Sequence, residues 1–269
     1  QSEIKISDTK KFAGNLFAHL GLGSADVNVG DNVQMQVNHD RRSAIRANHS
    51  VTHLLHEALR RVLGEHVSQK GSLQDDKRTR FDISQPVAIN AQQIADVESI
   101  VNQEIAANTE VVTRLMALDE AKESGAMALF GEKYDSEVRV VAMGSEQDNG
   151  RAFSVELCGG THVKRTGEIG KFKIISEGAL SSGIRRLEAI TGKRVDEYEA
   201  KKNAEQQAEL NRLNNENEKL RAELSSLNGD AGDAAENTQE ALIKDNKRLQ
   251  KLISDARRAQ GASTSDDEI

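Results

Sequence analysis

His49-Ser-Val-Thr-His53 sets two imidazoles four residues apart. In a helix, residues i and i+4 share a face, so both rings can address one centre. Cys158-Gly-Gly-Thr-His162 places a thiol and a third imidazole around a two-glycine turn behind a strand-like run. Three nitrogens and one sulfur form a donor set suited to tetrahedral Zn²⁺. Each half alone carries little, because most His-x3-His pairs are ordinary helix surface and most lone cysteines are small buried hydrophobes. The combination carries more, since the only cysteine sits beside one of seven histidines. His56 lies on the same helix face as His49 and His53, as a further ligand or as a partner behind one. His56-Glu57 is followed by Ala58, Leu59 and Arg60, so there is no H-E-x-x-H metalloprotease motif.

A closed set of four protein ligands is usually structural, whereas a catalytic zinc keeps one position for water. Ligand count leaves both roles open. In the catalytic role, Zn²⁺ lowers the pKa of bound water to about 7 and polarises an ester carbonyl. With four protein ligands, the substrate must replace a water at an expanded or loosely held coordination sphere.

The elements that must position these side chains follow from periodicity. Residues 1–40 hold short alternating stretches, such as Asn32-Val-Gln-Met-Gln-Val37, which read as strands of a small β unit. From Ser43 the pattern turns helical, with Ala44, Ile45, Val51, Leu54, Leu55, Ala58, Leu59 and Val62 at three- and four-residue steps and Gly64 closing the run. Residues 72–83 read as extended, 91–107 as a helix after Pro86, and 119–124 as a short helix. Runs at 138–143, 152–157 and 172–176 read as adjacent sheet strands. Helices and strands do not alternate regularly, so the expected fold is α+β with an antiparallel sheet and packed helices.

After Gly192, Leu210, Leu213, Asn217, Leu220, Leu224 and Leu227 form a heptad seam with one asparagine. A Gly/Asp-rich break follows, and Leu242, Asn246, Leu249, Ile253 and Ala256 continue at similar spacing. This predicts an antiparallel helical hairpin in which Asn217 faces Asn246. Self-association through the same seam is the alternative. The expected organisation is a partial β-domain at 1–40, the zinc-bearing domain at 41–192, a helical hairpin or coiled coil at 193–260 and a disordered tail at 261–269.

The lone Cys158 excludes an intramolecular disulfide framework. There is no signal-peptide pattern and no apolar run of about 20 residues, so a cytoplasmic protein without a membrane partner is expected. The net charge of −7 is unevenly spread. Of 36 basic and 43 acidic residues, 11 and 17 fall in 195–269, leaving 25 and 26 for 1–194. Basic clusters at Arg41–Arg42–Arg46, Arg60–Arg61, Lys77–Arg78–Arg80, Lys164–Arg165 and Arg185–Arg186 read as solvated surface or as a phosphate-binding stripe.

Several motifs resemble the editing domain of bacterial alanyl-tRNA synthetases, in that family's order, over roughly residues 30–192. They are Asn48-His-Ser-Val-Thr-His-Leu-Leu-His56, Val67-Ser-Gln-Lys-Gly-Ser72, Arg80-Phe-Asp-Ile-Ser84 and Gly125-Ala-Met-Ala-Leu-Phe-Gly-Glu-Lys133. With them go Glu156-Leu-Cys-Gly-Gly-Thr-His162, Arg165-Thr-Gly-Glu-Ile-Gly170 and Gly183-Ile-Arg-Arg-Leu-Glu-Ala189. The related threonyl editing domains look similar at the helix but end in Gly-Pro-His.

The resemblance implies hydrolysis of the ester joining serine or glycine to the acceptor end of tRNA(Ala). A pocket sized for alanine cannot exclude glycine and rejects an added hydroxyl poorly, so a second, hydrolytic site is needed. It implies His49, His53, Cys158 and His162 as zinc ligands, with Thr52 and Gln69 lining the pocket. Gly159 and Gly160 would let backbone N–H groups approach the developing oxyanion. No residue stands out as a general base.

The chain departs from the family at Gln85, where histidine is common, and at Thr79, where an apolar residue is common. Neither is an expected ligand. The glycine-rich strands expected before Asp8, the ATP-binding motifs and the final C-terminal domain are not found, and the start at Gln1 reads as that of an excised piece. The chain is thus expected to edit but not to activate or transfer alanine. The alternative is a tRNA-binding or oligomerisation module with a structural zinc, hydrolytically inactive in isolation. A freestanding editing protein is disfavoured by the start at Gln1 and the coiled-coil tail.

Overall fold

The computed structural model describes residues 3–12, 16–24, 26–127 and 135–263. Most of the Gly125-to-Lys133 motif and the end of the expected disordered tail, 264–269, lie outside the described residues. The chain divides into two units, Gln1–His39 and Asp40–Ile269.

In the first unit, β1 (Ile4–Phe12) and β2 (Leu16–Gly23) form an antiparallel hairpin, paired from Ile4↔Gly23 to Phe12↔Leu16 with a register shift between Ile6 and Asp8. Ile6, Phe17 and Leu22 are exposed, since a two-stranded ribbon has no second layer to bury them. The stretch from Asn32 to Val37, expected as a strand, has no regular structure. Alternation makes a strand only where a neighbouring edge supplies hydrogen bonds, and among the described residues, 32–37 join neither β1 nor β2.

The second unit is α+β with antiparallel sheets, as its irregular pattern predicts. Helix α1 (His39–Leu63) starts earlier than expected and ends at Gly64, whose φ of +119° breaks the helical path. The extended stretch resolves into a hairpin of β3 (Gln69–Gln74) and β4 (Thr79–Ser84). The Asp75 side chain accepts from the N–H groups of Lys77 and Arg78 at that turn. Helix α2 (Ala91–Ala106) opens with a capping box of Asn90 and Gln93. Then come β5 (Val112–Ala117), α3 (Leu118–Glu123), β6 (Glu137–Glu146), β7 (Ala152–Leu157), a 3₁₀ turn (Thr166–Ile169), β8 (Phe172–Ser181) and β9 (Ile184–Thr191).

These strands form two sheets, β3-β4-β9-β8 and β5-β6-β7. The expectation that β8 neighbours β7 is therefore corrected. The intervening loop and 3₁₀ turn carry β8 away, and β9, not anticipated, lies between β8 and β4. One core joins both sheets to α1 and α2 through Val51, Leu54, Leu55, Phe81, Val101, Met143 and Leu187. Strand β6 alternates faces. Val141 and Met143 enter that core, while Val138 and Val140 pack with Ala121 and Leu157 beneath α3.

Helices α4 (Lys193–Ser226) and α5 (Gln239–Ser263) pack through Leu224, Leu249 and Ile253. Asn217 faces Asn246 at 2.8 Å, as expected, but the helices are not antiparallel. Contacts climb together along both: Asn246 to Leu213, Gln250 to Glu216 and Arg257 to Glu223. The chain reverses in the connection instead. Arg221 donates to the carbonyls of Gly232 and Asp233, Arg248 to that of Ala231, and Asn214 to Asn237 Oδ1. The connector thus runs back along α4 before α5 begins. Spacing about a loop centre cannot distinguish the two directions when the loop spans several helical turns.

Candidate metal centre

The site is where one face of α1 meets one face of β7. His49, His53 and His56 stand at i, i+4 and i+7 on the helix. Glu156 and residue 158, just beyond the strand end, stand at i and i+2 and so share a strand face. The turn after β7 brings back His162. One ligand atom from each of His49, His53, Cys158 and His162 lies within 4.8 Å of the others. Cys158 Sγ is 3.5 Å from His49 Nε2 and 3.3 Å from His162 Nε2. Around a tetrahedral zinc with bonds of about 2.3 Å to sulfur and 2.0–2.1 Å to nitrogen, these atoms would be about 3.5 Å apart, so the donor set fits.

The far sides of the His162, His53 and His56 rings are held. His162 Nδ1 bonds Ser50 Oγ at 3.1 Å, and that oxygen also accepts from Val163 N–H at 3.1 Å. His53 Nδ1 lies 2.7 Å from Glu156 Oε2, and His56 Nδ1 lies 2.9 Å from Glu156 Oε1. His53 Nε2 is buried with no hydrogen-bond partner, and so is His56 Nε2. An orphaned ring nitrogen in a ligand cluster is what a metal would satisfy. His56 is not one of the four clustered ligands; its ring packs edge-on against Phe81.

The electrostatics favour a cation. Burial alone would raise the Cys158 thiol, but hydrogen bonds to His162 and His49 and the nearby charge of His53 bring it down to about 3. Burial would likewise raise Glu156 and lower His53. Their mutual attraction wins, holding the carboxyl low and the imidazole protonated well above its ordinary range. His162 is shifted down, chiefly by burial. A half-buried thiolate and a buried carboxylate thus flank the site, and a metal ion would take the place of the extra imidazole proton.

Gly160 is required by close approach, since a Cβ there would stand 2.0 Å from His49 Cε1. Its N–H donates toward Cys158 Sγ at 3.5 Å, and is therefore turned to the thiolate. Gly159 is exposed, and a Cβ there would meet nothing within 4 Å. Arg139 holds this turn by donating to the carbonyls of Cys158 and Gly160.

Thr52 is buried beside His53, a candidate ligand. Its hydroxyl donates to Asn48 O at 2.8 Å, lies 2.8 Å from Thr79 Oγ1 and accepts from Gln74 Nε2 at 3.3 Å. With its one proton spent on Asn48, Thr79 must be the donor to it, and Gln74 takes the remaining lone pair. A further hydroxyl reaches Thr52 only by replacing Gln74, the half-buried member of the group. Gln69 is half-buried at the start of β3, with its amide on Ser72 Oγ at 3.4 Å. Gln85 bonds His66 Nε2 at 2.7 Å.

Sequence reasoning assigned no role to Glu156, Ser50 or Arg139. Glu156 had a usable signal, since a carboxylate two residues before Cys158 on a strand points the same way. Ser50 and Arg139 had none, because their partners are set by the packing of α1 and by strand register.

Residues 138–188 match the family described as threonyl and alanyl tRNA synthetase second additional domain. The chain is 45% identical over 259 residues to "Alanine--tRNA ligase" of Mesorhizobium japonicum and 48% identical over 257 residues to "Alanine--tRNA ligase" of Granulibacter bethesdensis. Each alignment covers 95% of this chain but only 28% of the relative. The resemblance read from the motifs thus extends over nearly the whole chain.

Proposed function

We propose that this chain, alanyl-tRNA synthetase-like over nearly its whole length, carries the editing reaction: hydrolysis of the ester in Ser-tRNA(Ala) or Gly-tRNA(Ala). The observation that carries this reading is the convergence of His49, His53, Cys158 and His162 within 4.8 Å, with a buried, unpartnered His53 Nε2 among them. In it these four residues hold Zn²⁺. A zinc ion held there supplies Lewis acidity toward an ester carbonyl and toward water.

The chain's own residues do the rest. Glu156 and Ser50 fix the rings of His53 and His162 from behind. Gly160 lets the turn close on His49 and directs its N–H to the thiolate; Gly159 leaves open space beside it. Thr52 and Gln69 line the pocket. A serine hydroxyl would bind Thr52 in the place of Gln74, whereas glycine leaves that pair intact. The partner is the acceptor end of tRNA(Ala), and the setting is the cytoplasm. No described helix is long and apolar enough to cross a membrane. No ligase activity is expected of the chain, and the domain organisation set out from the sequence is retained in this reading, except that α5 carries the helical segment on to Ser263.

One observation favours the alternative, a tRNA-binding or oligomerisation module with structural zinc. Four protein donors close a tetrahedron, as in structural sites. Release of serine from Ser-tRNA(Ala) by the zinc-loaded chain, beside Cys158→Ala, separates the readings. Hydrolysis lost in the variant supports editing at this centre. An inactive parent that holds zinc stoichiometrically and binds tRNA supports the module.

A further inference from the structure

Behind the four clustered ligands lies a second layer of buried polar groups, of which the hydrolytic reading uses Glu156 but not His56. Glu156 is 6% exposed and His56 is 1% exposed. Both ion pairs recorded for Glu156 among the described residues are to imidazoles, His53 at 2.7 Å and His56 at 2.9 Å. A carboxylate gripped at both oxygens cannot rotate without breaking one bond or the other, and burial makes either break costly. The same strand face thus presents Cys158 to the centre and Glu156 to the back of His53.

We propose that Glu156 and His56 are positioning residues of the metal centre, Glu156 holding His53 by Nδ1 so that Nε2 addresses the metal, and His56 holding Glu156. The inference rests on the reading that the cluster binds zinc. A carboxylate on the distal nitrogen fixes the tautomer and makes the opposite nitrogen a better donor. His56 does the same service for the carboxylate. Its Nδ1 keeps the proton that bonds Oε1, and its own Nε2, with no partner, remains outside the ligand set. The order along α1 follows: His49 and His53 ligate, and His56, one turn on, braces.

Zinc affinity of the full chain, by competition with a chromophoric chelator, tests this in the parent, Glu156→Gln, His56→Leu and His56→Asn. Glu156→Gln keeps the shape but loses the charge, and should weaken zinc binding on the order of 10- to 100-fold. His56→Leu should weaken it less, and His56→Asn, whose amide sits where Nδ1 was, should restore most of the loss. With Co²⁺ at saturation, Glu156→Gln should also shift the visible ligand-field bands, which a role confined to packing would leave alone. Equal affinities and spectra in the parent and Glu156→Gln would overturn the positioning role while leaving the zinc site standing. If Glu156→Gln does not fold, the His56 pair decides, and equal weakening by Leu and Asn counts against the proposal. A parent that binds no zinc would sink the metal reading and this inference with it.

Discussion

Two regions of this molecule bury clusters of polar side chains, and they do so in opposite ways. Between α4 and α5, Asn217, Asp245 and Asn246 form a closed node. Asn217 donates to both partners and accepts from Arg221, Asn246 donates to Leu213 O, and Asp245 takes Arg221 on one oxygen and Arg248 on the other. None of its atoms appears among the buried unpaired groups. Three such atoms occur among the described residues, and two of them, His53 Nε2 and His56 Nε2, lie at the α1–β7 site. A polar cluster that satisfies itself specifies register; one that leaves a donor atom open at a shared centre is built for something else to complete it.

Removing zinc should separate the two regions most sharply. Chelation should strip hydrogen-exchange protection from residues 49–53 and 158–163 while leaving 242–253 unchanged, because metal-binding energy is folding energy only where the ligands are. Equal loss in both regions would break the comparison.

Gly160→Ala should rank next. It drives a methyl group into the His49 ring and should cost roughly 1–3 kcal/mol together with a loss of zinc affinity. Gly159→Ala, with open space around its Cβ, should stay within about 0.5 kcal/mol in the same denaturant melts. A harmless Gly160→Ala would mean that the turn does not rest on His49.

In the closed node, Asn217→Leu should cost roughly 1–3 kcal/mol by leaving Asp245 and Asn246 short of a partner, with zinc content unaltered. Replacing Asn217 and Asn246 together by Leu should recover much of that stability but loosen the register, read by crosslinking across the two helices. A zinc loss in either variant would show the regions to be coupled.

The smallest effect expected is acid sensitivity of the node. Burial would raise the Asp245 carboxyl, yet hydrogen bonds from Asn217, Arg248 and Arg221 bring it down to about 2. A folded value below the unfolded one of about 3.9 contributes stability that is present above pH 4 and lost as pH falls toward 2. The gap between the parent and Asp245→Asn in thermal melts should therefore shrink from pH 5 to pH 2. A constant gap would assign the node's effect to hydrogen bonds alone.

The sequence by itself determined what local spacing can encode. His49 and His53 share a helix face because four residues make about one turn. Cys158 and His162 can converge because two glycines permit a tight turn. The α+β class, the helix at α2 and the heptad seam were legible for the same reason, since each depends on neighbours within a few residues. Only the tertiary structure decided which strands pair, as with β8 beside β9 and not β7, because an edge accepts any chain that reaches it in register. It alone decided that α5 runs parallel to α4, since a connector long enough to return along a helix leaves the heptad pattern unchanged. It also turned Glu156 toward His53 and His56, and closed Asn48, Gln74 and Thr79 around Thr52. Those partners lie 22 or more residues apart in all but one case, where no periodicity connects them.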